Sequence, residues 1–503
     1  MYYPDLDEVR NLADKGNYIP VYYEVLADME TPVSAFHKIA YNENGDKRPY
    51  AFLLESVEGG ENIGRFSFLG ADPIYLLKQT GDTADILKDG KVTETLKEGS
   101  SFKNLQKFMS RFNQVKINGL SPFNGGAVGY ASYETIEQIE PKVHCQANDG
   151  LNVPDATFLI IDTLLAFDRV KHTIQIISHV DLTETDDVEK AYAKATAKID
   201  QQLNRLKTSV SFPPVSALHT PEPLPCTSNM TREEYKSMVE KAKEYIINGD
   251  IIQVVLSQRF ETELDLSPLQ VHRALRAINP SPYMYCLHLG DDFSITGTSP
   301  EIHAKCIDSK ITVRPIAGTR KRGRNEEEDQ ALAKELINDP KERAEHIMLV
   351  DLARNDVGRI SETGSIKVPD LMTIERYSHV MHIVSDVTGT LKSELDTCET
   401  MCSTFPAGTV SGAPKIRAMQ IIAELEKSRR GPYAGTIAYF SFNGNIDSCI
   451  TIRTVIMKDG KAYIQAGAGV VADSDPDFEF EETRSKARAM MVALNAAKKM
   501  SQS

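Results

Sequence analysis

The sequence has no uninterrupted apolar run that approaches the ~20 residues needed to cross a membrane. Its N-terminus, MYYPDLDEVRNLADKGN, has early acidic residues and no apolar core, so we predict neither a secretory signal nor a transit peptide there. Cysteine is scarce: the seven cysteines are odd in number, and no CxxC pair occurs. A zinc site and a disulfide framework are therefore disfavoured, and we predict a reducing, cytoplasmic location.

Positive charge is also in short supply. The chain has 503 residues, with 57 Lys and Arg against 71 Asp and Glu, which gives a formal net charge of −14 at pH 7. Such an acidic surface repels nucleic acid and anionic lipid, so we predict neither as a main partner. The sequence also lacks a GxxxxGKS/T phosphate loop and a GxSxG nucleophile elbow. Nucleophilic catalysis therefore has little support.

A proline-rich stretch divides the chain. Residues 209–229, SVSFPPVSALHTPEPLPCTSN, contain five prolines and no helical or strand period, which is typical of a connector. We predict one domain over residues 1–208 and a second over 230–503. In both, short apolar runs and turn residues alternate with capped helices in an irregular, hairpin-rich order. This order favours an α+β fold in which antiparallel sheets carry helices on the outside.

Two pairs of acidic residues stand at the starts of predicted helices. Glu342 and Glu345 follow Asp339, a predicted N-cap, and Glu479 and Glu482 lie near the C-terminus with the same spacing. The four carboxylates could converge on Mg²⁺, which proteins commonly hold through one or two carboxylates plus waters and substrate oxygens. The spacing leaves a second interpretation open, in which Glu342 completes a capping box with Asp339 and the acids only complement helix dipoles.

Three glycine-bearing segments could bring backbone N–H groups close to an anion. RPIAGTR (314–320) follows a predicted strand, FPAGTVSGAPK (405–415) precedes a predicted helix, and QAGAG (465–469) ends a predicted strand. Taken singly, each is better explained as an ordinary turn, because none matches a phosphate-binding motif.

One histidine and one arginine stand out in apolar surroundings. His382 shares a face with Val380 and Val384 if that segment is a strand, and a histidine there is more often a hydrogen-bonded core residue than a base. Arg453 interrupts the predicted strand SCITIRTVIM (448–457). An inward guanidinium needs an anionic partner, because an unpaired buried charge is very costly. A substrate carboxylate or a structural Asp or Glu would serve.

In this order, the segments resemble those of the chorismate-utilising enzyme family. The resemblance covers nearly the whole chain. It includes LLES and GGAVGYASYE in the N-terminal half and, in the C-terminal half, NGDIIQVVLSQR, GTSPE, RPIAGTRKRG, ERAEHIMLVDLARND, VMHIVSDVTG, FPAGTVSGAPK, GPYAG, TIRT and QAGAGVVADSDPDFEFEET. It implies an α+β fold in which two antiparallel sheets pack face to face with helices outside, a regulatory domain over 1–208 and a catalytic domain over 230–503.

The resemblance implies a Mg²⁺ site. Glu345 and Glu482 match the metal ligands, and Glu342 and Glu479 match residues that support them directly or through water. The metal would grip the ring carboxylate of chorismate as a Lewis acid and template. Glu301 matches the general acid that protonates the departing C4 hydroxyl, a role for which burial must raise the pKa of its carboxyl.

Further positions match residues that bind or activate the substrate. His382 matches the residue that assists proton removal at C2 as pyruvate leaves. Tyr433 and Arg453 match the pair that holds the enolpyruvyl carboxylate, which would supply the anionic partner of that arginine. The other matched positions are Gly318, Thr319, Thr409, Gly467, Ala468, Gly469 and Lys486.

Two positions indicate which branch of the family the chain resembles. Members that add water to chorismate carry a lysine where this chain has Gln253, and aminodeoxychorismate synthases usually carry one where it has Ala317. Gln253 cannot act as a base, which suits ammonia, already a competent nucleophile. The resemblance implies amination at C2 through an aminodeoxyisochorismate intermediate and loss of pyruvate to give anthranilate, the first step from chorismate towards tryptophan. An aminodeoxychorismate synthase and a catalytically silent amino-acid sensor stay as alternatives.

The resemblance also implies two partners besides chorismate. The chain contains no Cys-His-Glu glutaminase, so ammonia would come from a separate glutamine amidotransferase subunit. L-tryptophan would act as a feedback inhibitor bound largely by the N-terminal half. The matched positions are Leu54, Glu55, Ser56, Asn279, Pro282, Tyr283 and Met284. Without the resemblance, LLES is a plain strand and NPSPYM a proline-stiffened loop.

Overall fold

The computed structural model of the protein describes residues 1–42, 44–56, 64–145, 150–209, 222–290, 292–377 and 380–502. Its α-helices are α1 (Leu6–Leu12), α2 (Pro32–Ala40), α3 (Ser101–Met109), α4 (Ile136–Ile139), α5 (Val188–Leu206), α6 (Arg232–Ile247), α7 (Pro268–Ile278), α8 (Glu326–Asn338), α9 (Pro340–Ile360), α10 (Cys398–Thr404), α11 (Lys415–Leu425) and α12 (Pro476–Gln502).

The strands are distributed over both halves of the chain. They are β1 (Tyr18–Leu26), β2 (Tyr50–Glu55), β3 (Phe66–Ala71), β4 (Tyr75–Thr80), β5 (Thr83–Lys88), β6 (Lys91–Leu96), β7 (Gly126–Ala131), β8 (Ala156–Ile161), β9 (Leu164–Asp168), β10 (Thr173–Asp181), β11 (Thr227–Ser228), β12 (Gln253–Glu263), β13 (Tyr283–Leu289), β14 (Phe293–Ser299), β15 (Ile302–Ile307), β16 (Lys310–Val313), β17 (Ile316–Lys321), β18 (Thr373–Arg376), β19 (Val380–Val384), β20 (Val387–Thr390), β21 (Gly412–Ala413), β22 (Thr436–Ser441), β23 (Ile446–Ile450), β24 (Thr454–Lys458) and β25 (Lys461–Val470).

The strands form two large sheets and one small one. The first sheet has the order β1-β10-β9-β3-β2-β13-β14-β24-β25-β12-β11, and β21 also pairs with β12. The second sheet has the order β20-β16-β15-β23-β22-β7-β8-β4-β5-β6, and the third has the order β17-β19-β18. The pairs that join the two halves are antiparallel: β2 with β13 in the first sheet, and β7 with β22 in the second.

Both halves of the chain therefore contribute to both large sheets. Each half supplies one end of each sheet, and the hydrogen-bond ladder runs across the junction without a break. The predicted connector lies partly outside the described residues, at 210–221. Its described end includes β11, which pairs with β12. The division into regulatory and catalytic domains stays a prediction.

The main core lies between the two large sheets. Phe52 and Leu287 of the first sheet pack in one buried cluster with Val128, Leu159 and Ile437 of the second. Helices cover the outer faces: α2 and α5 pack against the N-terminal part of the first sheet, and α7 and α12 against its C-terminal part. Apolar side chains alternate along these strands because successive side chains point to opposite faces. The predicted α+β fold with two antiparallel sheets and outer helices is confirmed.

Local capping signals fix the starts of the helices that matter for the site. Thr231 and Glu234 form a capping box before α6. The Asp339 carboxylate accepts hydrogen bonds from the backbone N–H groups of Lys341 and Glu342, at 2.9 and 3.2 Å. The backbone N–H of Asp339 itself donates to a carbonyl of α8. Glu342 thus does not complete a capping box, and its carboxylate is available for other partners.

Three predictions about local structure are wrong. Residues 465–469, predicted as a turn, lie inside strand β25 and pair with β12. Residues 448–457 do not form one strand: β23 ends at Ile450, and Arg453, with φ of 52°, lies in the connection to β24. Alternating apolar residues on both sides gave the appearance of continuity. Residues 314–320 are not a simple turn either. They run into strand β17, where the pairing register with β19 shifts at Gly318, whose φ is 64°.

All seven cysteines are free, and four of them are buried. Within the described residues, none of the helices has both the length and the apolar character needed to cross a membrane.

Leu287 offers a test of the core between the sheets. Its side chain is fully buried opposite Phe52. We expect Leu287→Ala to lower the free energy of unfolding by about 2–5 kcal/mol, because it removes buried methyl groups and leaves a cavity. Urea unfolding followed by circular dichroism measures the change. The control Val170→Ala, at an exposed position, should change it by less than about 0.5 kcal/mol. Equal midpoints for the two variants would contradict the assignment.

Candidate active site

The floor of the candidate site is the antiparallel pair β12 and β25. Gly467 and Gly469 lie two residues apart in β25 and so point to one face. A β-carbon at Gly467 would lie 2.7 Å from the Tyr433 hydroxyl oxygen, and one at Gly469 would lie 2.8 Å from Nε2 of Gln253. Glycine at both positions leaves room for these two side chains. Ala468 is fully buried on the opposite face, so only its backbone could contact a substrate.

Gln253 and Lys486 connect two acidic helix starts to this floor. Nε2 of Gln253 donates a hydrogen bond to Oε1 of Glu345 on α9, at 3.0 Å. Nζ of Lys486 on α12 donates to the carbonyl of Gly467 at 3.1 Å and forms a salt bridge of 2.7 Å with Glu482. Both helices therefore direct a predicted metal ligand to the same short stretch of β25.

A second bridge joins the N-termini of α9 and α12. Nζ of Lys341, in the first turn of α9, donates to the Asp473 carboxylate at 3.1 Å, just before α12 begins. Asp475 caps α12 by accepting from the backbone N–H of Phe478. The two pairs of acids, distant in the sequence, thus lie on the same side of the molecule.

Glu479 is the most deeply buried of the four acids. Burial raises the pKa of its carboxyl to about 7; a hydrogen bond with Ser474 opposes this shift and the charge of Glu482 adds to it. Within the described residues its Oε2 atom is buried without a hydrogen-bond partner. A buried polar atom of this kind calls for a partner, which a cation or a water molecule would provide.

The chemistry of the four acids, rather than a preformed cluster, is of the kind that binds Mg²⁺. The donors are all carboxylate oxygens, which Mg²⁺ prefers. In the part of the chain that is described, no group of three or more His, Cys, Asp or Glu side chains lies close enough to hold a metal ion. Glu342 accepts from Arg320 at 3.1 Å, and Glu345 and Glu482 keep the partners given above. One or two carboxylates plus substrate oxygens is the arrangement that these residues allow.

Arg453 and Tyr433 form a cationic, hydrogen-bonding corner of the site. Nη1 of Arg453 donates to the backbone carbonyl of Lys486 at 2.9 Å. Among the described residues Arg453 forms no salt bridge, and burial lowers its pKa, opposed by Tyr433 and Glu482. Burial raises the pKa of Tyr433 to about 12. A partly exposed guanidinium beside a neutral phenol is suited to bind a carboxylate.

Glu301 lies between β14 and β15. It sits deep in the molecule but keeps some exposed surface. Burial raises the pKa of its carboxyl to about 7, with Thr409 and Lys486 acting in the opposite direction. The Thr409 hydroxyl makes no hydrogen bond of ordinary geometry within the described residues, so we assign it only a weak contact with Glu301. A carboxyl with this pKa is protonated in a substantial fraction of molecules at pH 7 and can act as an acid.

His382 lies in β19, as predicted, opposite Thr319 of β17. Its Nδ1 is 2.8 Å from the carbonyl oxygen of Gly318. Because a carbonyl can only accept, Nδ1 carries the proton and Nε2 of the neutral ring is free to accept one. Burial lowers the pKa of His382, and the charge of Arg453 lowers it further. The ring is therefore suited to act as a base.

Charge interactions connect several of these groups. Lys486 lowers the pKa of Glu301, and Arg453 lowers the pKa values of His382 and Tyr433. Such effects weaken with distance. Hydrogen bonds and close approaches link one set of predicted site residues at the floor, Gln253, Glu345, Tyr433, Arg453, Gly467, Gly469, Glu482 and Lys486. A second set lies together at β17 and β19, Gly318, Thr319, Glu342 and His382. Glu301 and Thr409 line one small cavity, and Glu479 lies close to Glu482.

A cavity of about 850 Å³ gathers most of the predicted tryptophan-site residues. It is lined by Leu54, Glu55, Ser56, Pro282, Tyr283 and Met284, among others. Asn279 is not among the lining residues. Its side-chain amide donates to Oγ1 of Thr298 at 2.9 Å, so it holds the neighbouring strand β14 instead. The hydroxyl of Ser56 is buried and has no hydrogen-bond partner within the described residues.

Sequence analysis missed two arginines. Arg320 contacts Glu335, Asp339 and Glu342 and so ties β17 to α9. No local sequence pattern predicts the contacts of Arg320, because its partners belong to two helices further along the chain. Arg430 is almost fully buried and pairs with Glu426. Their spacing of four residues could have suggested that pair.

Comparison with known proteins gives a consistent result. The sequence profile of the family described as chorismate binding enzyme matches residues 50–492. Anthranilate synthase component 1 of Acetivibrio thermocellus is 46% identical over 507 residues, covering 99% of each chain. The protein of the same description from Synechocystis is 46% identical over 515 residues, covering 99% of this chain and 100% of the relative.

Solved structures agree. Anthranilate synthase component I from Streptococcus pneumoniae matches with a TM-score of 0.75 at 36% identity, covering 93% of this chain and 99% of that one. The menaquinone-specific isochorismate synthase of Escherichia coli shares the fold, with a TM-score of 0.70 at 16% identity over 97% of this chain and 98% of its own. The chain belongs to the family of chorismate-binding enzymes, within the group of the anthranilate synthase component 1 proteins.

Proposed function

We propose that the chain is the catalytic subunit of an anthranilate synthase, which converts chorismate and ammonia to anthranilate, pyruvate and water. As a member of its family, the chain is an enzyme that acts on chorismate. The observation that carries the proposal is the amide of Gln253, which lies against Gly469 and donates to Glu345. An amide cannot deprotonate water, whereas ammonia needs no such base.

The proposed chemistry uses the groups that meet at the floor of the site. Glu301 gives its proton to the C4 hydroxyl, which leaves as water while ammonia attacks C2 and the ring double bonds shift, forming aminodeoxyisochorismate. Nε2 of His382 then assists removal of the C2 hydrogen. The bond from the ring to the enolpyruvyl oxygen breaks with its electron pair on oxygen, the enol takes up a proton as pyruvate, and the ring becomes aromatic.

Binding would be shared between two anionic groups of chorismate. Arg453 and Tyr433 would hold the enolpyruvyl carboxylate, which provides the anionic partner that Arg453 lacks among the described residues. Mg²⁺, when bound, would supply positive charge and Lewis acidity at the ring carboxylate. Glu345 and Glu482 would hold the ion, with Glu342 and Glu479 assisting directly or through water. The reaction would thus be that of a Mg²⁺-dependent carbon–oxygen lyase.

We also propose that the two halves of the chain have different roles. Residues 230–503 would carry catalysis, and residues 1–208 would contribute Leu54, Glu55 and Ser56 to a regulatory site for L-tryptophan in the 850 Å³ cavity, which residues of the C-terminal half also line. Ammonia would come from a separate glutamine amidotransferase subunit. The cytoplasm stays the predicted location.

A single assay tests the activity. Purified protein with chorismate, Mg²⁺ and an ammonium salt at alkaline pH should form fluorescent anthranilate and an equal amount of pyruvate. Glutamine alone should give no product. Removing the metal with EDTA should abolish activity, and added Mg²⁺ should restore it. A 4-amino product would identify an aminodeoxychorismate synthase, and no product at all would favour a silent homologue.

Glu301→Gln tests the general acid. The amide cannot donate a proton to the leaving hydroxyl, so we expect kcat to fall roughly 10²- to 10⁴-fold with little change in KM for chorismate. In the unaltered protein, at a fixed concentration of free ammonia, kcat should fall as the pH rises above about 7, because Glu301 then loses its proton. The control Glu327→Gln, at an exposed position on α8, should keep full activity. A kcat within fivefold of normal in Glu301→Gln would refute the assignment.

Tryptophan binding can be followed through the ligand itself, because the chain contains no tryptophan. We expect saturable binding and inhibition of activity. Ser56→Ala should weaken binding roughly tenfold, because it removes a hydroxyl that lacks a partner among the described residues and would bond to the ligand. The matched control Ser110→Ala, at the exposed end of α3, should bind normally. Absence of saturable binding to the unaltered protein would disprove the regulatory site.

A further inference from the structure

Arg430 is a buried charge that the proposed chemistry does not use. It lies between α11 and β22 and is 1% exposed. Nε and Nη2 of its guanidinium donate to the two carboxylate oxygens of Glu426, at 2.9 and 2.6 Å. Nη1 donates to the Val410 carbonyl and Nη2 to the Val255 carbonyl, both at 2.7 Å. A buried ion pair contributes little stability compared with apolar packing. Stability alone therefore does not explain why Arg430 is held by four hydrogen bonds.

The acceptors of Arg430 belong to segments that carry site residues. Val410 directly follows Thr409, and Val255 lies two residues after Gln253 in β12. The Glu426 carboxylate also accepts from the backbone N–H and the hydroxyl of Ser257 in β12, both at 2.8 Å. One guanidinium, with its carboxylate, therefore fixes the distance between the Thr409 segment and the strand that begins at Gln253.

The same guanidinium lies against Tyr433. Its central carbon is 5.6 Å from the centre of the Tyr433 ring and 4.6 Å from that of Tyr133. These cation–π contacts restrict the tilt of the Tyr433 ring. The hydroxyl of that ring points towards Gly467, so a shift of the guanidinium would move the hydroxyl at the floor of the site.

The N-terminal half holds the backbone at this point. The Glu134 carboxylate accepts from the backbone N–H groups of Arg430, at 2.6 Å, and Gly431, at 3.0 Å. The backbone N–H of Tyr133 donates to the carbonyl of Gly431 at 2.9 Å. Directed hydrogen bonds therefore fix both the backbone of Arg430 and its guanidinium.

We propose that Arg430 is a positioning residue, which sets Tyr433, the Thr409 segment and the Gln253 end of β12 relative to one another without touching the substrate. The inference rests on the proposed function. Four directed hydrogen bonds from one planar group define relative positions more sharply than apolar contacts do. A lysine could replace the charge, but its single nitrogen cannot reach acceptors on three segments in the same way.

The test compares Arg430→Lys and Arg430→Gln with a matched control. Because Tyr433 would hold the enolpyruvyl carboxylate, we expect KM for chorismate to rise at least about tenfold in both variants, and kcat to fall less, by about two- to fivefold. The values refer to folded protein, quantified by circular dichroism. Lys198→Gln removes another largely buried ion pair, with Asp162 in the N-terminal half. It should lower the melting temperature and leave KM unchanged.

The outcomes separate the inference from the proposed function. If the unaltered protein makes no anthranilate, the proposed function fails. If it is active and folded Arg430→Lys has a KM within twofold of normal, the inference is overturned, and Arg430 is then only a structural residue like Lys198. Should neither Arg430 variant fold, Glu426→Gln, which keeps the length of the partner and removes its charge, must raise KM at least about threefold; an unchanged KM overturns the inference.

Discussion

The site depends on the antiparallel pairing of β12 with β25. This ladder places Gly467 and Gly469 where two side chains from elsewhere can approach the backbone. It also sets the start of β12, and with it the contact of Gln253 with Glu345. The helix α12 follows β25 and packs against it. This packing allows Lys486 of α12 to donate a hydrogen bond to the carbonyl of Gly467 in β25. A shift of one residue in this register would turn the glycine face away from the site.

Charges near this floor lack complete protein partners. Arg453 has no salt bridge among the described residues, and an oxygen of Glu479 has no hydrogen bond there. Lys415 and Asp356, by contrast, form a largely buried pair in which each charge has its partner. Leaving a charged or polar atom unsatisfied costs free energy in the unliganded protein. Under the proposed function, that cost is recovered when the enolpyruvyl carboxylate and Mg²⁺ bind.

Local rules predicted much of this arrangement, and long-range contacts account for what they missed. The capping signals at Thr231 and Asp339 were readable because a cap and its partner lie within one turn. The positive φ of Arg453 could not be predicted, because the apolar residues that alternate on both sides of it are typical of a continuous strand. Arg320 and Arg430 owe their roles to partners from separate elements. The resemblance of whole motifs, rather than periodicity, predicted that the four acids converge. The structure places both acidic pairs on the same side of the molecule.

The two strand pairs that join the halves, here called seams, limit how the chain could be divided. At each seam, β2 beside β13 and β7 beside β22, backbone groups of one half are satisfied only by the other. Separating the two halves would expose the unpaired backbone of four strands, β2, β13, β7 and β22. Each exposed edge could pair with another chain and promote aggregation. The two halves of the chain therefore form one structural unit, and a half that is inherited, exchanged or expressed alone would keep these strand edges unpaired.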